Sequence, residues 1–353
     1  MNVLLLLMAM MVQSSPEFPH PEFVMKCYPE AAMPGDTLYI RIVAINSHAK
    51  SIYISDDFWP TDIDIQIHLR DLENQQRSLL FESPTNEEYV CPLHLVKIMS
   101  GDSHIIAALA INIPPLEDWK TTFWEKHLEN LSASDVKFSL CATILSCAAT
   151  NNNRIEERLP FSVEIPVIMK PRPEKEITLI QKWYAATPKD WFPVLESDRN
   201  PVRKIPGHRR LTFQWVDNIF VKGEKVSHWY FIPIGNRYPG HPNAPETWQG
   251  WKELEESLTP STMRDEIRLT RILIQYCDTE DDTVLKELKE WFADMNETQQ
   301  TVMAKLLRDR AFDSRGTKFL TQFREIYKTI RQYDVVPVPE SNVKHLRNLG
   351  LIE

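Results

Sequence analysis

Asp62-Ile63-Asp64-Ile65-Gln66-Ile67-His68-Leu69-Arg70 alternates polar and apolar side chains without a break. Successive side chains on an extended chain point to opposite faces, so Ile63, Ile65, Ile67 and Leu69 line one face and the polar set lines the other. The reading is a strand buried on one side. The same period runs outward in both directions. Leu38, Ile40 and Ile42 alternate with Tyr39, Arg41 and Val43, and further strands are expected over 23–28, 50–55, 78–81, 91–99, 104–113, 136–147 and 159–169. About nine short strands parted by turn residues predict an antiparallel β-sandwich over residues 20–170. Within it, Trp119, Phe123, Trp124 and Leu128 recur at helical spacing, which predicts an inserted helix over 116–131.

Met33-Pro34-Gly35-Asp36-Thr37 precedes one of these strands. Proline and glycine set a tight turn there and Asp36 caps it. The motif resembles the opening hairpin of immunoglobulin-like domains of exported bacterial proteins. The resemblance implies an immunoglobulin-like sandwich that binds or spaces rather than catalyses, although a fold does not by itself confer a function.

Beyond residue 260 the period changes to 3.6. Val284, Leu285, Leu288, Trp291 and Phe292 form one apolar stripe, Val302, Met303, Leu306 and Leu307 a second, and Phe319, Leu320, Phe323, Ile326, Tyr327 and Ile330 a third. With Ser261–Tyr276 this predicts four amphipathic helices in a bundle over 260–353. A last short helix is expected over Ser341–Leu349, with Ser341 as N-cap and Gly350 beyond its C-terminus.

The intervening residues 171–259 hold 10 of the 25 prolines and six of the ten tryptophans. Proline disfavours long elements, so an irregular connecting segment packed by its aromatics is expected, with one β-hairpin over 210–222 and 225–234. The fold class is thus multidomain α and β: an immunoglobulin-like sandwich, an aromatic and proline-rich segment, and a bundle of short helices.

Val3–Val12 is ten unbroken apolar residues, followed by Gln13-Ser14-Ser15. As a helix it spans about 15 Å, half of a bilayer core. A signal peptide over residues 1–15 is expected, hence an exported protein with no membrane span in its mature chain. A buried N-terminal strand or a misplaced start codon is the competing reading.

The formal charge of -9 argues against nucleic acid as a partner. The excess acid is concentrated, since residues 16–170 hold 22 of the 49 acidic but 12 of the 40 basic side chains. Glycine, at 9 of 353 residues, is too scarce for a phosphate-cradling loop, and no cofactor is expected. The five cysteines form no metal-binding spacing; in an exported chain Cys27 with Cys91 is the pair to test.

Asp56, Asp57, Asp62 and Asp64 could converge on calcium, against the plainer reading of a solvated strand face. His208, His228 and His241 with Asp217 fit no zinc pattern. Trp229, Tyr238, Trp248 and Trp251 compose a candidate ligand platform, since exposed aromatics stack on sugar rings; core packing is the competing reading. Arg203, Lys204, Arg209 and Arg210 are candidates for contact with an anionic partner, the acidic sandwich of the same chain included. No nucleophile elbow or His-Glu-x-x-His motif occurs, and no catalytic or metal residue is assigned. The expectation is a non-catalytic exported binding or scaffold protein whose partner is a protein or glycan. The alternative is an extracytoplasmic, for example polysaccharide-acting, hydrolase with a site between sandwich and helices, because two catalytic carboxylates need not be near in sequence.

Overall fold

The computed structural model describes residues 20–55, 63–72, 77–82, 95–113, 127, 134–149, 157–185, 248–313, 320–338 and 340–353. Ten strands come first: β1 (Glu22–Tyr28), β2 (Ala31–Ala32), β3 (Thr37–Ile45), β4 (Ile52–Ser55), β5 (Ile63–Asp71), β6 (Arg77–Glu82), β7 (Leu95–Ile98), β8 (Ser103–Asn112), β9 (Val136–Ala149) and β10 (Glu157–Met169). Among the described residues seven α-helices follow: α1 (Glu174–Ala185), α2 (Trp248–Ser257), α3 (Thr262–Thr279), α4 (Asp282–Ala293), α5 (Glu297–Asp313), α6 (Leu320–Ile330) and α7 (Glu340–Asn348).

The strands form two sheets. One is three-stranded, in the order β1-β3-β8, and antiparallel throughout. The other is seven-stranded and built around β9, which pairs antiparallel with β10 along one side and with β5 and β4 along the other. Short β2 joins β10 in parallel. The alternation of residues 62–70 holds in three dimensions: Ile65 and Ile67 are fully buried and Leu69 nearly so. They meet Phe138, Leu140 and Ile144 of β9 and Phe23, Leu38, Ile40 and Ile42 of the smaller sheet in one apolar cluster.

Strand β3 is where the sequence expectation and the structure part. Alternation with Arg41 suggests one wet face, yet Tyr39 is fully buried and Arg41 is 6% exposed. Helices cover that second face. Tyr39 and Ala108 belong to the helical core, together with Trp251, Met263, Ile267, Phe292, Val302, Met303 and Phe323, and both α5 and α3 contact β3. Arg41 is neutralised rather than hydrated, donating through Nη2 to Glu297 Oε1 at 2.8 Å and through Nη1 to Thr301 Oγ1 at 3.4 Å. The three-stranded sheet is therefore filling between two apolar cores.

The helices of the C-terminal region form where their stripes place them. Ser261 caps α3, its side chain accepting from the Arg264 amide, and Asp281 caps α4 in the same way through Thr283. Two expectations need correction. Residues 171–259 are not irregular throughout, since α1 and α2 occupy their ends. Proline does not interfere there: Pro171 and Pro173 precede α1, where a missing N–H costs nothing, and α2 contains none. In addition α7 begins at Glu340, so Ser341 lies inside its first turn instead of capping it, while Gly350 takes a φ of +68° just past the helix as expected. The hairpin expected over 210–234 lies outside the described residues, as does the helix expected over 116–131 except His127, which is helical and buried. Among the described residues no helix is long and apolar enough to cross a membrane.

Candidate functional site

The site is built on the turn that precedes β3. Gly35 adopts a φ of +85°, a left-handed conformation that disfavours any Cβ, and an added methyl would stand 2.9 Å from Met263 Cε. The turn closes with the Asp36 amide donating to Met33 O at 2.9 Å and the Met33 amide donating to Asp36 Oδ2 at 2.8 Å. Asp36, 1% exposed, thereby points its other oxygen into the joint between sheet and helices.

Three segments converge on it. Arg172, just after β10 and 5% exposed, donates through Nη2 to Asp36 Oδ1 at 2.6 Å, through Nε to Pro34 O at 2.7 Å and through Nη1 to Glu176 Oε2 at 2.9 Å. Glu176 of α1 in turn accepts from the Thr259 amide at 2.7 Å, which ties in the loop before α3. From α3 the Met263 amide donates to Asp36 Oδ1 at 3.4 Å and Thr262 Oγ1 accepts from the Thr37 amide at 3.0 Å. Asp36 therefore serves as a second cap on the N-terminus of α3, where a negative charge is favoured. One turn further, Tyr39 OH donates to Glu266 Oε1 at 3.3 Å.

Beside this network opens a cleft of about 420 Å³, walled by Tyr28, Pro29, Ala31 and Met33 on the sheet side and by Pro260, Ser261, Arg264, Asp265 and Arg268 on the helix side. Asp36 and Glu255 line it as well. Burial pushes the Asp265 carboxyl up to about 6, against the hydrogen bond from Gln299 Nε2 at 2.8 Å and the attraction of Arg268. Burial, then the charges of Asp265 and Asp36, likewise raise the Tyr28 phenol. Arg268 is held by Glu255 at 3.6 Å and Glu287 at 3.3 Å and lies 5.0 Å over the Trp291 ring. Arg264 makes no ion pair within 4.0 Å among the described residues, although its charge is felt at Asp265.

Of the aromatic residues expected to form a platform, Trp251 is 1% exposed and sits in the helical core, and Trp248 is half-buried against the same core. Trp251 offers no face to a ligand. Trp229 and Tyr238 lie outside the described residues, as do Arg203, Lys204, Arg209 and Arg210. The same holds for Asp56, Asp57, Asp62, Asp217, His208, His228 and His241; Asp64 sits on β5, paired with Leu145 of β9. Cys27 on β1 carries a free thiol that burial pushes up to about 12, and Cys91 lies outside the described residues.

No protein-family model matches this chain, and no curated protein does. Solved structures resemble part of it. The sporulation control protein Spo0M from Bacillus subtilis is 10% identical over 48% of this chain, which spans 56% of that one, with a TM-score of 0.26. The CARDB domain of the PF1109 protein from Pyrococcus furiosus is 9% identical over 44% of this chain and 97% of its own, with a TM-score of 0.21. A PapD-like domain of human CEP192 is 8% identical over 45% of this chain and 92% of its own, with a TM-score of 0.18. Likeness at this level carries neither fold nor function across.

The residues that build the junction were not among the sequence candidates. One signal pointed to them. Glu266 falls on the apolar stripe of α3, in step with Met263, Ile267 and Thr270, where an acidic residue demands a partner. Arg172 gave no such signal, because its role depends on where β10 ends.

Proposed function

We propose that this is a non-catalytic, exported binding protein with an immunoglobulin-like sandwich at its N-terminus, and that the junction cleft takes a small polar ligand such as part of a glycan. What supports binding over hydrolysis is the state of the cleft's carboxyls. Asp36 is tied to Arg172 and Glu255 to Arg271, whose Nε lies 2.9 Å from Glu255 Oε2, while Asp265 feels the charges of Arg268 and Arg264 but has no guanidinium within ion-pair distance among the described residues. Glycoside hydrolysis on a carboxyl pair requires one acid and one free carboxylate across the scissile bond. Among the described residues neither histidine nor cysteine lines the cleft. What it offers instead are the half-buried ring of Tyr28, the guanidinium of Arg264, which makes no ion pair among the described residues, and the Asp265 carboxyl, a set suited to stacking on and hydrogen-bonding a sugar. Export rests on the apolar run Val3–Val12.

A glycan array with the wild type and Arg264→Ala, run beside a reducing-sugar assay on the glycans retained, tests the reading. Saturable binding weakened about tenfold or more by the substitution, a loss of about 1.4 kcal/mol, with no sugar released, is expected. Sugar release that disappears in Asp265→Asn would instead establish a hydrolase, and binding indifferent to Arg264→Ala would remove the cleft from the account. Mass spectrometry of the natural N-terminus checks export: a chain beginning near Ser15 is expected, and an intact Met1 contradicts it.

A further inference from the structure

Glu266 stands apart from the other buried acids of the junction. It is 1% exposed, and among the described residues no guanidinium or ammonium lies within ion-pair distance of it. Its partners are neutral, the Tyr39 hydroxyl at 3.3 Å and the Thr37 side chain. The charges around it are acidic. Asp36 in the turn and Asp265 on its own helix both repel a second negative charge. The cations nearby are engaged elsewhere: Arg172 is shared by Asp36 and Glu176 of α1, Arg41 of β3 is held by Glu297 of α5, and Arg271 holds Glu255 of α2. Arg264 and Arg268 act on Asp265. Tyr28 of β1 faces Asp265 and Asp36 and supplies no positive charge, and α5 brings the uncharged Gln299 to Asp265.

Asp36 and Glu176 thus share the buried guanidinium of Arg172, while Glu266 is buried with no cation at ion-pair distance among the described residues. Taking an unpaired carboxylate out of water costs several kcal/mol, which a carboxyl avoids by keeping its proton. We propose that the junction is a proton-dependent latch, in which neutral Glu266, bonded to Tyr39 and Thr37, fastens α3 to β3 and its ionisation at rising pH loosens that contact beside the cleft. The direction follows from linkage. Burial first, then the charges of Asp36 and Asp265, raise the Glu266 carboxyl well above its ordinary range. The native state then binds the proton more tightly than the unfolded chain. The stabilisation is complete below the ordinary carboxylate range of about 4.3 and is lost as pH rises through the folded value.

Two amides report on the latch directly, because each crosses the junction: Thr37 N–H to Thr262 and Met263 N–H to Asp36. Hydrogen exchange of peptides covering 36–40 and 262–268, corrected for the intrinsic rate, should show protection falling about tenfold or more from pH 5 to pH 9, tenfold for each unit by which ionisation is disfavoured. Glu266→Gln, which keeps the shape without the charge, should abolish the fall. Unchanged protection in the wild type, or an undiminished fall in Glu266→Gln, overturns the proposal. If Glu266→Gln does not fold, Tyr39→Phe decides. Removing a donor that favours the ionised acid should move the wild-type fall to higher pH, whereas equal loss of protection at every pH marks Tyr39 as merely structural and overturns the latch.

Discussion

Asp36 accepts from a turn amide, a guanidinium and a helix amide, so its removal should be felt on both sides of the junction. Asp36→Asn takes from the buried Arg172 one of its two carboxylate partners and leaves Glu176, a change expected to cost up to about 3–5 kcal/mol. Urea denaturation is expected to show that loss, with the midpoint falling and the slope unchanged. Gly35→Ala acts through the backbone: at a φ of +85° it should destabilise by about 1–2 kcal/mol, with the Met263 methyl displaced as well. Asp265 has its own pH signature. Its carboxyl is raised to about 6, so its contribution is complete below about 3.9 and fades as pH climbs to 6. Asp265→Asn should flatten stability over that window and leave the higher-pH fall assigned to Glu266 intact. At this scale little was legible beforehand. The Pro34-Gly35-Asp36 turn stands out in the sequence, but the guanidinium that meets it comes from position 172 and the helix end from position 263, separations that no local pattern encodes.

Among the elements, strands and C-terminal helices were readable because their faces differ. Strand β5 is the clearest case, its isoleucines at alternate positions and its polar residues between them. Strand β3 was half readable. Its period two was visible, yet helical cover over Tyr39 and Arg41 lies beyond any strand pattern, because an arginine reads as solvated until its carboxylate partner is known. Helix α5 shows the same limit. Its apolar residues Val302, Met303, Leu306 and Leu307 are buried, but so are Thr298, Gln299, Thr301 and Arg308, since the helix has the sheet on one side and α6 on another. Helices α1 and α2 were hidden by averaging proline over a long segment whose ends contain none within the helices. Trp251 on α2 then changes meaning, from platform to core. Trp251→Ala should cost about 3–5 kcal/mol in thermal or urea unfolding, while ligand binding by the folded fraction stays at the wild-type level.

For the molecule as a whole, two apolar cores share the three-stranded sheet as their common wall. Ionic contacts fasten that wall near the start of β3, where Asp36 and Arg172 are both buried, and further along it, where buried Arg41 meets the exposed Glu297 of α5. A sheet region and a helical region joined this way should not unfold separately, although the change of period near residue 260 reads as a domain boundary. Hydrogen exchange followed across a urea series tests that most directly, comparing peptides of β9, in the larger sheet, with peptides of α4 and α6, remote from it. Coincident loss of protection at one urea concentration is the predicted result. Helical peptides that exchange freely while β9 stays protected would contradict it, reducing the junction to a contact between independent domains.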